Sequence, residues 1–529
     1  NAQGRTIAQG TLIAEGGKEG GDGGQIETSG YDLKVDGIQV STKANEAAGG
    51  KTGQWLLDPY NIVIGSSGTA ASGGTFTPSA TTTITASSIE SALASNNVTI
   101  TTGPRYSSGG DAGNITVSTS ISAGGANKLE LKAANNIEIE SGVFIERTDT
   151  GGLTLRAGSG LIHGEGTIKL SGGTTLALAH GSTLATGIDI GGGGAKLTFA
   201  DLEVEYLVVG GGGGGGGYAR GGGGGAGGFV EGSSIFGVGT TYTIDVGAGG
   251  NGGGNTDNRT TNAEEGESSS IALNQTTIVE ALGGGAGGDY TTAATSGASG
   301  GGGAGYVYKT GAASSNSQQG HAGGTNVAGT NYYGGAGGGG AGAVGQASPD
   351  GTNGGDGGDG RQSDITGTAI WYAGGGGGWG GGSSSTNAGQ GGQGGGGRGG
   401  YSSGTGEVAP LAGADNTGGG GGGSYVNRSG AAGGSGTVIV RYSGSATATG
   451  GTVKENGTSA GGRFTVHTFN DDGSFAIENN FTASITGTIT GSEKLTIDST
   501  RGTVTLAGDN ANFSGGTDLD AGTLTVRSD

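Results

Sequence analysis

The sequence predicts an all-β protein in which a parallel β-helix carries a glycine-rich region of strands and polyglycine segments. Over residues 1–200, short stretches that alternate apolar and polar residues start about every 8 residues, the spacing expected of β-strands. Long helical periodicity is absent, and only SSIESALASN at 87–96 suggests a helical turn. Glycine supplies 138 of the 529 residues, and its runs lie between stretches with strand patterning.

Residues 1–202 are predicted to be the β-helix. Their strands include TLIAEG, LKVDGIQVST, NITVSTSISA and GTIKLSG. A β-sandwich also fits short strands, but these are separated by Asn, Gly and Ser rather than by hairpin pairs. The pattern continues without a stopping point, as it does in stacked repeats. Asn135 and Asn136 follow LELKA, where their amides could stack between successive coils.

Residues 203–478 contain long glycine runs, which must fold without packing side chains. At 205–229 the strand EYLVV runs into eight glycines, and glycine loses the most backbone entropy on folding. Polyglycine II helices, with three residues per turn, can pack closely and exchange N–H and C=O groups with their neighbours. A disordered linker is the alternative. Because strands flank the glycine runs and would anchor them, we predict an ordered bundle.

Charge and composition narrow the choice of partners. The formal net charge is −20, so the sequence predicts no nucleic-acid partner, since affinity for phosphates comes from clustered Lys and Arg. The absence of cysteine excludes disulfides and zinc–thiolate sites. No apolar run reaches the length of a membrane-spanning helix, so we predict no membrane span.

The block GQWLLDPYNIVIG at 53–65, with SSIESALASNNVTITTG and GNITVSTSISA after it, resembles filamentous-haemagglutinin-like adhesins exported by two-partner secretion. Residues 55–61 are the specific marker, and the resemblance covers about residues 1–200. It implies a right-handed parallel β-helix on the bacterial cell surface. It also implies an outer-membrane secretion transporter as a partner, and an extracellular location.

Two further resemblances cover the rest of the chain. EYLVVGG, TYTIDVGAGGNGG at 241–253 and GTVIVRYS at 436–443 resemble a glycine-rich domain of phage tail fibres and bacterial surface proteins. Residues 479–529, with GTVTLAGDNANFSGGTDLDAGTLTVRSD, resemble the repeat of autotransporter passengers. We therefore interpret 203–478 as a domain inserted into, or mounted on, a β-helical shaft that continues over 479–529.

Aromatic residues between the glycine runs are the candidate binding residues. If the glycine segments are rods, the gaps between them are loops at the bundle ends, and exposed aromatic residues on rigid loops are common binding groups. In the phage fibres that this region resembles, such loops meet the receptor. The structural alternative is that they cap the bundle ends or pack on the strands. The candidates are Tyr332, Tyr333, Trp371, Tyr372, Trp379 and Tyr401.

One glycine-rich turn offers a possible calcium site. NGGDGGDGRQSD at 353–364 places Asp356, Asp359 and Asp364 in a single, imperfect copy of a calcium-binding nonapeptide. That motif works in tandem copies, so the prediction is no cofactor, with calcium as the alternative. The four histidines are scattered without a metal-binding spacing.

The predicted function is that of a secreted surface adhesin or filament segment without catalysis. Its partners would be other cell surfaces or glycans, and copies could assemble into fibres. An enzyme acting on polysaccharides is an alternative, because carboxylates on successive coils could do acid–base work; Glu138, Glu140 and Glu146 are the candidates, although they fit a solvated strand face. Binding of ice or other surfaces is a third possibility. GASGG at 297–301 lacks the strand–turn–helix context of a nucleophile elbow.

Overall fold

A computed structural model describes most of the chain. The described ranges are 5–17, 20–29, 32–35, 38–44, 50–58, 61–66, 82–102, 113–158, 160–218, 220–254, 262–306, 310–326, 334–381, 387–403, 406–425, 428–444, 447–459 and 462–527. Within them the protein is almost entirely β, as predicted, with a single α-helix, α1 (Ala86–Leu93), inside the 87–96 stretch and the residue before it. No helix in the described part is long and apolar enough to cross a membrane.

The strands fall into two groups. The first group belongs to parallel sheets: β1 (Arg5–Ile7), β2 (Thr11–Ile13), β3 (Gln25–Ser29), β4 (Asp32–Lys34), β5 (Gln39–Ser41), β6 (Gln54–Asp58), β7 (Ile62–Gly65), β8 (Thr82–Thr85), β9 (Asn97–Thr101), β10 (Ile115–Val117), β11 (Ile121–Ala123), β12 (Leu129–Ala133), β13 (Ile137–Ile139), β14 (Phe144–Arg147), β15 (Leu153–Ala157), β16 (Leu161–His163), β17 (Thr167–Leu170), β18 (Thr174–Leu178), β19 (Ser182–Leu184), β20 (Gly187–Ile190), β21 (Ala195–Phe199), β36 (Phe481–Ile485), β37 (Ile489–Gly491), β38 (Leu495–Leu506) and β39 (Thr517–Val526). The second group belongs to antiparallel sheets: β22 (Leu202–Val209), β23 (Phe229–Phe236), β24 (Thr241–Asp245), β25 (Ser269–Leu273), β26 (Thr276–Ala281), β27 (Arg361–Ser363), β28 (Ile370–Tyr372), β29 (Tyr401–Ser403), β30 (Gly406–Val408), β31 (Thr437–Ser443), β32 (Ala448–Thr449), β33 (Thr452–Ser459), β34 (Gly462–Phe469) and β35 (Gly473–Ile477).

The parallel strands stack in three columns. One column runs β3-β6-β9-β12-β15-β18-β21-β38, a second runs β8-β7-β10-β13-β16-β19-β36-β38, and a third runs β11-β14-β17-β20-β37. The long strand β38 pairs with β21 through its first half and with β36 through its second half, so it joins the first two columns. Successive strands of the chain therefore visit the three columns in turn.

Apolar residues at equal register form the core of these columns. Leu129 lies opposite Leu153, Leu153 opposite Leu176, and Leu176 opposite Leu197, an interval of 21 to 24 residues. All four side chains are buried, as are similar ladders in the other two columns. Asn135 donates its amide to Oδ1 of Asn114 on the neighbouring turn at 2.8 Å, so the asparagines bridge successive turns.

The parallel pairing continues across the glycine-rich region. Ala195 of β21 pairs with Leu495, and Ser182 of β19 pairs with Ala483, a jump of about 300 residues along the chain. The strands before and after the glycine-rich region are thus direct neighbours in the columns. Phe199 and Phe481 pack edge to face there, with ring centroids 5.9 Å apart. The domain limits at 202 and 479 remain a prediction. The register shows that the chain leaves the columns and returns to them at the same level.

Two five-stranded antiparallel sheets lie between these crossings. The first has the order β23-β22-β31-β34-β33, and the second has the order β26-β25-β24-β35-β32. Their facing apolar side chains, including Val208, Ile271 and Phe475, belong to the same continuous core as the parallel columns. The other face of the first sheet packs against the β27–β28 hairpin through Leu207, Ile365 and neighbours.

Polar contacts hold the antiparallel sheets against the columns. Arg501 of β38 forms an ion pair with Asp201 at the start of β22. Arg156 of β15 donates to the carbonyl of Asp201 at 2.7 Å, and Lys132 of β12 pairs with Glu203 at 2.5 Å. These contacts come from three different strands, so they fix the direction in which β22 leaves the columns.

The glycine segments begin where the strands of these sheets end. Segment 210–217 continues β22, and every third amide from Gly210 onward donates to segment 221–228, which leads back into β23. The next amides in the same rotation donate to 262–268, and those after them to 430–436, with N···O distances of 2.8–3.0 Å. Carbonyls of the same segment accept bonds from three further segments, 246–254, 282–288 and 418–424. Six neighbours therefore surround this one segment.

The separation between glycine segments leaves no room for side chains. A Cβ at Gly213 would stand 2.1 Å from the carbonyl oxygen of Gly285, and one at Gly224 would stand 2.0 Å from that of Gly213. Both obstacles are backbone atoms, which cannot rotate away. Close approach is what allows each N–H to reach a neighbouring carbonyl, so the composition and the hydrogen-bond pattern have one cause.

Candidate functional site: the outer end of the glycine segments

Glycine segments that run away from the antiparallel sheets repeatedly end in an aromatic residue. Segment 210–217 leads outward from β22 and is followed by Tyr218. At about 3.1 Å per residue, eight residues carry the chain roughly 25 Å beyond the sheets. Other outward segments, traced by their hydrogen bonds to it and its neighbours, end in the same way. The aromatic residues at these ends are Tyr218, Tyr290, Tyr306, Trp379, Tyr401 and Tyr425.

Backbone hydrogen bonds bring these ends together. Gly305, next to Tyr306, donates to the carbonyl of Arg220 at 2.9 Å, and Trp379 donates to that of Gly221 at 3.1 Å. Ser424, next to Tyr425, donates to Gly216 at 2.9 Å. We call this set of turns the outer end, and its described residues are 218, 220, 289–292, 305–306, 350–353, 379–381, 398–403, 424–425 and 428.

An exposed aromatic pair lies at the outer end. The rings of Tyr290 and Tyr306 are parallel, with an interplanar angle of 6° and centroids 5.8 Å apart. Tyr290 is 41% exposed and Tyr306 46% exposed. The guanidinium of Arg220 lies 5.1 Å from the centroid of the Tyr306 ring, within cation–π range. The positive charge of Arg220 and two partly exposed tyrosine rings therefore lie together at the outer end.

The turn that carries Arg220 adopts an unusual backbone. Tyr218 has φ 26° and Arg220 has φ 68°, in the left-handed region that side chains disfavour. Glycine would fit both positions at lower cost, and it is the commonest residue in this chain. Strain of about 1–3 kcal/mol per residue at such positions is characteristic of functional sites. The retained side chains are thus a reason to examine this turn for binding.

A second aromatic pair at the outer end is structural. Trp379 is only 3% exposed and stacks on Tyr425 with centroids 4.3 Å apart. Tyr401 is half-buried under Arg398, whose guanidinium lies 5.0 Å from its ring centroid. These side chains cover the ends of the glycine segments, as the structural interpretation of the sequence expected for Trp379.

The remaining aromatic candidates are elsewhere. Trp371 and Tyr372 lie on β28, at the opposite end of the glycine segments, against the antiparallel sheet. Tyr372 is buried with Leu207 and Ile365, and burial raises the pKa of its hydroxyl. The sequence could not separate the two ends, because the direction of each glycine segment depends on its partners. Tyr332 and Tyr333 lie outside the described residues.

The three candidate calcium ligands have other roles. Oδ1 of Asp356 accepts the backbone N–H of Gln390 at 2.7 Å, and Oδ1 of Asp359 accepts that of Gln393 at 2.8 Å. Each carboxylate replaces a backbone carbonyl at the edge of the glycine segments. Asp364 is exposed, and its carbonyl accepts a bond from Arg441 at 3.0 Å. Among the described residues, no group of three or more acidic or histidine side chains could hold a metal ion.

Acidic residues at the outer end are occupied by their own turns. Asp289 is buried, and its Oδ1 accepts three bonds from Thr291 and Thr292. Asp350 accepts the backbone N–H groups of Asn353 and Thr352, bonds that lower the pKa of its carboxyl. By contrast, Arg220 and Arg398 are placed over aromatic rings. The outer end thus places two arginines over aromatic rings, and its carboxylates accept hydrogen bonds within their own turns.

Sequence reasoning missed the exposed pair. It favoured the aromatic-rich gaps TNYYGG and TAIWYAGG and passed over Tyr290 in GGDYTT and Tyr306 in GAGYVY. The usable signal was positional: an aromatic residue directly after a glycine run. That signal required knowing which runs lead outward, which depends on the strand pairing.

Comparison with known proteins finds a family match for this region. No curated protein matches the chain. Residues 195–443, slightly less than half of the chain, match the family model described as a glycine-rich domain. The match begins at β21, where the chain is about to leave the parallel columns, and ends with β31. The chain therefore contains a stretch that matches the glycine-rich domain family, and this stretch includes the outer end.

Proposed function

We propose that this protein is a bacterial cell-surface adhesin segment, in which a rigid shaft displays a binding surface at the outer end of the glycine segments. The observation that carries the proposal is the exposed Tyr290–Tyr306 pair under Arg220, built on a support without flexible side chains. Aromatic and arginine residues dominate binding energy at interfaces. A rigid support reduces the entropy lost when a ligand binds.

For the shaft, we propose a right-handed parallel β-helix. Three columns visited in turn, with partners 21 to 24 residues apart, support it. The pairing of β19 with β36 and of β21 with β38 supports a shaft that continues past the glycine-rich region. Electron microscopy of the purified protein tests this: an extended rod with a lateral projection is expected, and a compact particle would contradict it.

For the glycine segments, we propose polyglycine II helices. Successive amides of segment 210–217 donate in rotation to three different neighbouring segments, and this supports a helix with three residues per turn. Hydrogen exchange tests the proposal. Amides of 210–216 should exchange as slowly as those of β12, because each is bonded and buried. Fast exchange in this segment would support the linker interpretation instead.

The resemblances and the family match support a proposal for the location. We propose an extracellular protein of the bacterial surface, exported through an outer-membrane transporter. The absence of cysteine is compatible with export through an oxidising compartment. Surface labelling of intact cells with a membrane-impermeant reagent tests the location, and labelling only after lysis would contradict it.

The adhesive role is tested by exchanging the exposed rings. A Tyr290→Ser, Tyr306→Ser double variant should lose adhesion to target cells. Ile370→Ser is the matched control, since Ile370 is 40% exposed at the opposite end of the glycine segments. Equal adhesion by the double variant, the control and the unchanged protein would reject the outer end as the contact surface.

The proposed role involves no catalysis. Of the carboxylates considered for polysaccharide cleavage, Glu138 lies on β13 and Glu146 on β14, in different columns. Glu146 accepts a bond from the hydroxyl of Ser122 on the next turn at 2.5 Å. Incubation with acidic glycans and a reducing-end assay should show no cleavage, and release of reducing ends would favour the enzyme.

A further inference from the structure

We propose that the outer end binds an acidic glycan, a sugar polymer that carries carboxylate or sulfate groups. The proposal rests on the adhesive role proposed above and names its ligand class. Its three supports are the geometry of the exposed tyrosines, the arrangement of charge around them and the strained turn that holds Arg220.

The tyrosine pair suits flat, partly apolar ligands. Two parallel rings, each nearly half exposed, offer ring faces and hydroxyl groups together. A sugar ring presents C–H groups on one face and hydroxyls at its edge, so it can stack on a tyrosine while keeping its polar groups in water. Among the described residues, these tyrosines are the exposed large apolar side chains at the tips of the outward segments.

The charge at the outer end favours an anionic sugar. Two arginines supply positive charge beside aromatic rings there, Arg220 over Tyr306 and Arg398 over Tyr401. A guanidinium bonds carboxylate and sulfate oxygens with a fixed geometry.

The backbone of the turn indicates that Arg220 is needed as a side chain. A chain with 138 glycines places arginine at φ 68°, where glycine would relieve the strain. The same holds for Tyr218 at φ 26°. Both residues flank the bond-forming ends of segments 210–217 and 221–228, so the turn projects them at the outer end.

A protein partner fits the outer end less well. Specific protein interfaces bury about 800 Å² on each partner around a desolvated apolar centre. The exposed large apolar side chains near the described tips are Tyr290, Tyr306 and, beside Arg398, Leu411, which are too few for such a centre. A single-stranded nucleic acid would also use rings and arginines, but the net charge of −20 opposes a densely charged phosphate backbone.

The test compares polymers that differ in one property. Binding of the full chain to immobilised polygalacturonate should exceed binding to neutral dextran, which lacks charge, and to poly-glutamate, which lacks sugar rings. Raising the salt concentration from about 50 to 500 mM should weaken it several-fold, because the charges are exposed. Equal binding to poly-glutamate, or tighter binding to an oligothymidine, would overturn the proposal.

The variants use a matched pair of arginines. Arg220→Gln should weaken binding to polygalacturonate roughly fivefold, and Tyr306→Ala by a similar factor. Arg361→Gln is the control, because Arg361 lies at the same 5.1 Å from a ring, that of Phe229, at the opposite end of the glycine segments. A loss in Arg361→Gln equal to that in Arg220→Gln would overturn the proposal.

The outcomes separate this proposal from the adhesive role. If the protein adheres to cells through Tyr290 and Tyr306 but ignores acidic glycans, the ligand class is wrong and the adhesive role stands. If neither cells nor glycans are bound, both proposals fail. Hydrogen exchange in 210–217 confirms that each variant keeps its glycine segments folded, so a loss of binding is not a loss of structure.

Discussion

Leu131 in the parallel columns and Gly213 in the glycine segments are both buried, but they hold their regions together by different means. Leu131 pairs with Ile100 and Leu155 in the columns and adds its side chain to the apolar core. Gly213 contributes only backbone, donating to Gly225 and accepting from Gly421. Burial of apolar area stabilises the first region, whereas close contact between polar backbones stabilises the second.

The difference predicts opposite responses to mutation. The columns lose stability when a side chain is made smaller, because a cavity replaces packed atoms. The glycine segments lose stability when a side chain is made larger, because neighbouring carbonyls stand about 2 Å from any added Cβ. In both regions nearly every buried N–H group has a hydrogen-bond acceptor, but only the columns are also stabilised by a buried apolar core.

The largest effect is expected from Trp55→Ala in the columns. Trp55 is fully buried and donates its indole N–H to Thr28 at 3.0 Å, so its removal leaves a cavity and an unpaired hydroxyl. The free energy of unfolding should fall by about 3–5 kcal/mol. Chemical denaturation measures this, and the half-exposed Leu161→Ala is the control. In this variant, amide exchange should become faster in β6. If it became faster in 210–217 instead, the assignment of Trp55 to the core of the columns would be contradicted.

Gly213→Ala should act on the other region. The added methyl meets the carbonyl oxygen of Gly285 at 2.1 Å, so the segments must separate and lose hydrogen bonds. We expect a loss of about 1–3 kcal/mol, seen as faster amide exchange in 210–217 and 282–288. Gly192→Ala in the columns, where a Cβ meets nothing within 4 Å, should be neutral. Equal losses in both variants would refute the close-packing argument.

The stability of the protein should depend on pH through histidines whose pKa is lowered by burial. His467 is buried, with Nε2 3.0 Å from the hydroxyl of Tyr442, and burial lowers its pKa. Since the unfolded chain then binds the proton more readily, stability is full above pH ~6.5 and decreases as the pH falls. The free energy of unfolding should therefore decrease between pH 8 and pH 5.

Thermal unfolding at several pH values measures this effect. His467→Gln should flatten the dependence, whereas His163→Gln should leave it unchanged. Burial also lowers the pKa of His180, which lies in the columns and accepts the N–H of Thr482. A pH dependence that disappears only in His180→Gln would move the effect from the antiparallel sheets to the columns.

The smallest effect is expected at the edge of the glycine segments. Asp359→Ala removes the acceptor of the Gln393 amide and should cost about 1 kcal/mol. The amide of Gln393 should exchange faster, while Asp364→Ala should leave it unchanged. Added calcium should not raise the melting temperature of the unchanged protein. A clear rise that Asp359→Ala abolishes would instead establish a calcium site.

Several parts of the fold were accessible from local patterns. Alternation in stretches such as KLELKAANNIEIE predicted strands with one buried face, which became β12 and β13. Helix α1 lies where SSIESALASN suggested a turn. His467 was expected to be structural, and it is buried on β34 beside Tyr442 of β31. These features depend on near neighbours in the chain, so a single sequence contains them.

The candidate site could be predicted from the sequence only in part. Trp379 and Tyr401 were named because they lie in the gaps between glycine runs, and both lie at the outer end. Trp371 and Tyr372 satisfied the same composition rule but lie at the other end, because residues 361–372 form a hairpin against the antiparallel sheet. Tyr290 and Tyr306 are 16 positions apart in sequence, and only the fold of the segments stacks them.

The sequence by itself determined that the protein would be β-rich, acidic and without cysteine, and that its centre would have to bond backbone to backbone. Strand periodicity and the absence of Cβ atoms are local properties, so they need no knowledge of distant partners. Tertiary structure decided which strands are neighbours, which glycine segments lead outward, and hence which tyrosines meet. Those choices depend on pairings between residues up to about 300 positions apart, such as Ala195 with Leu495, where no local pattern specifies the partner.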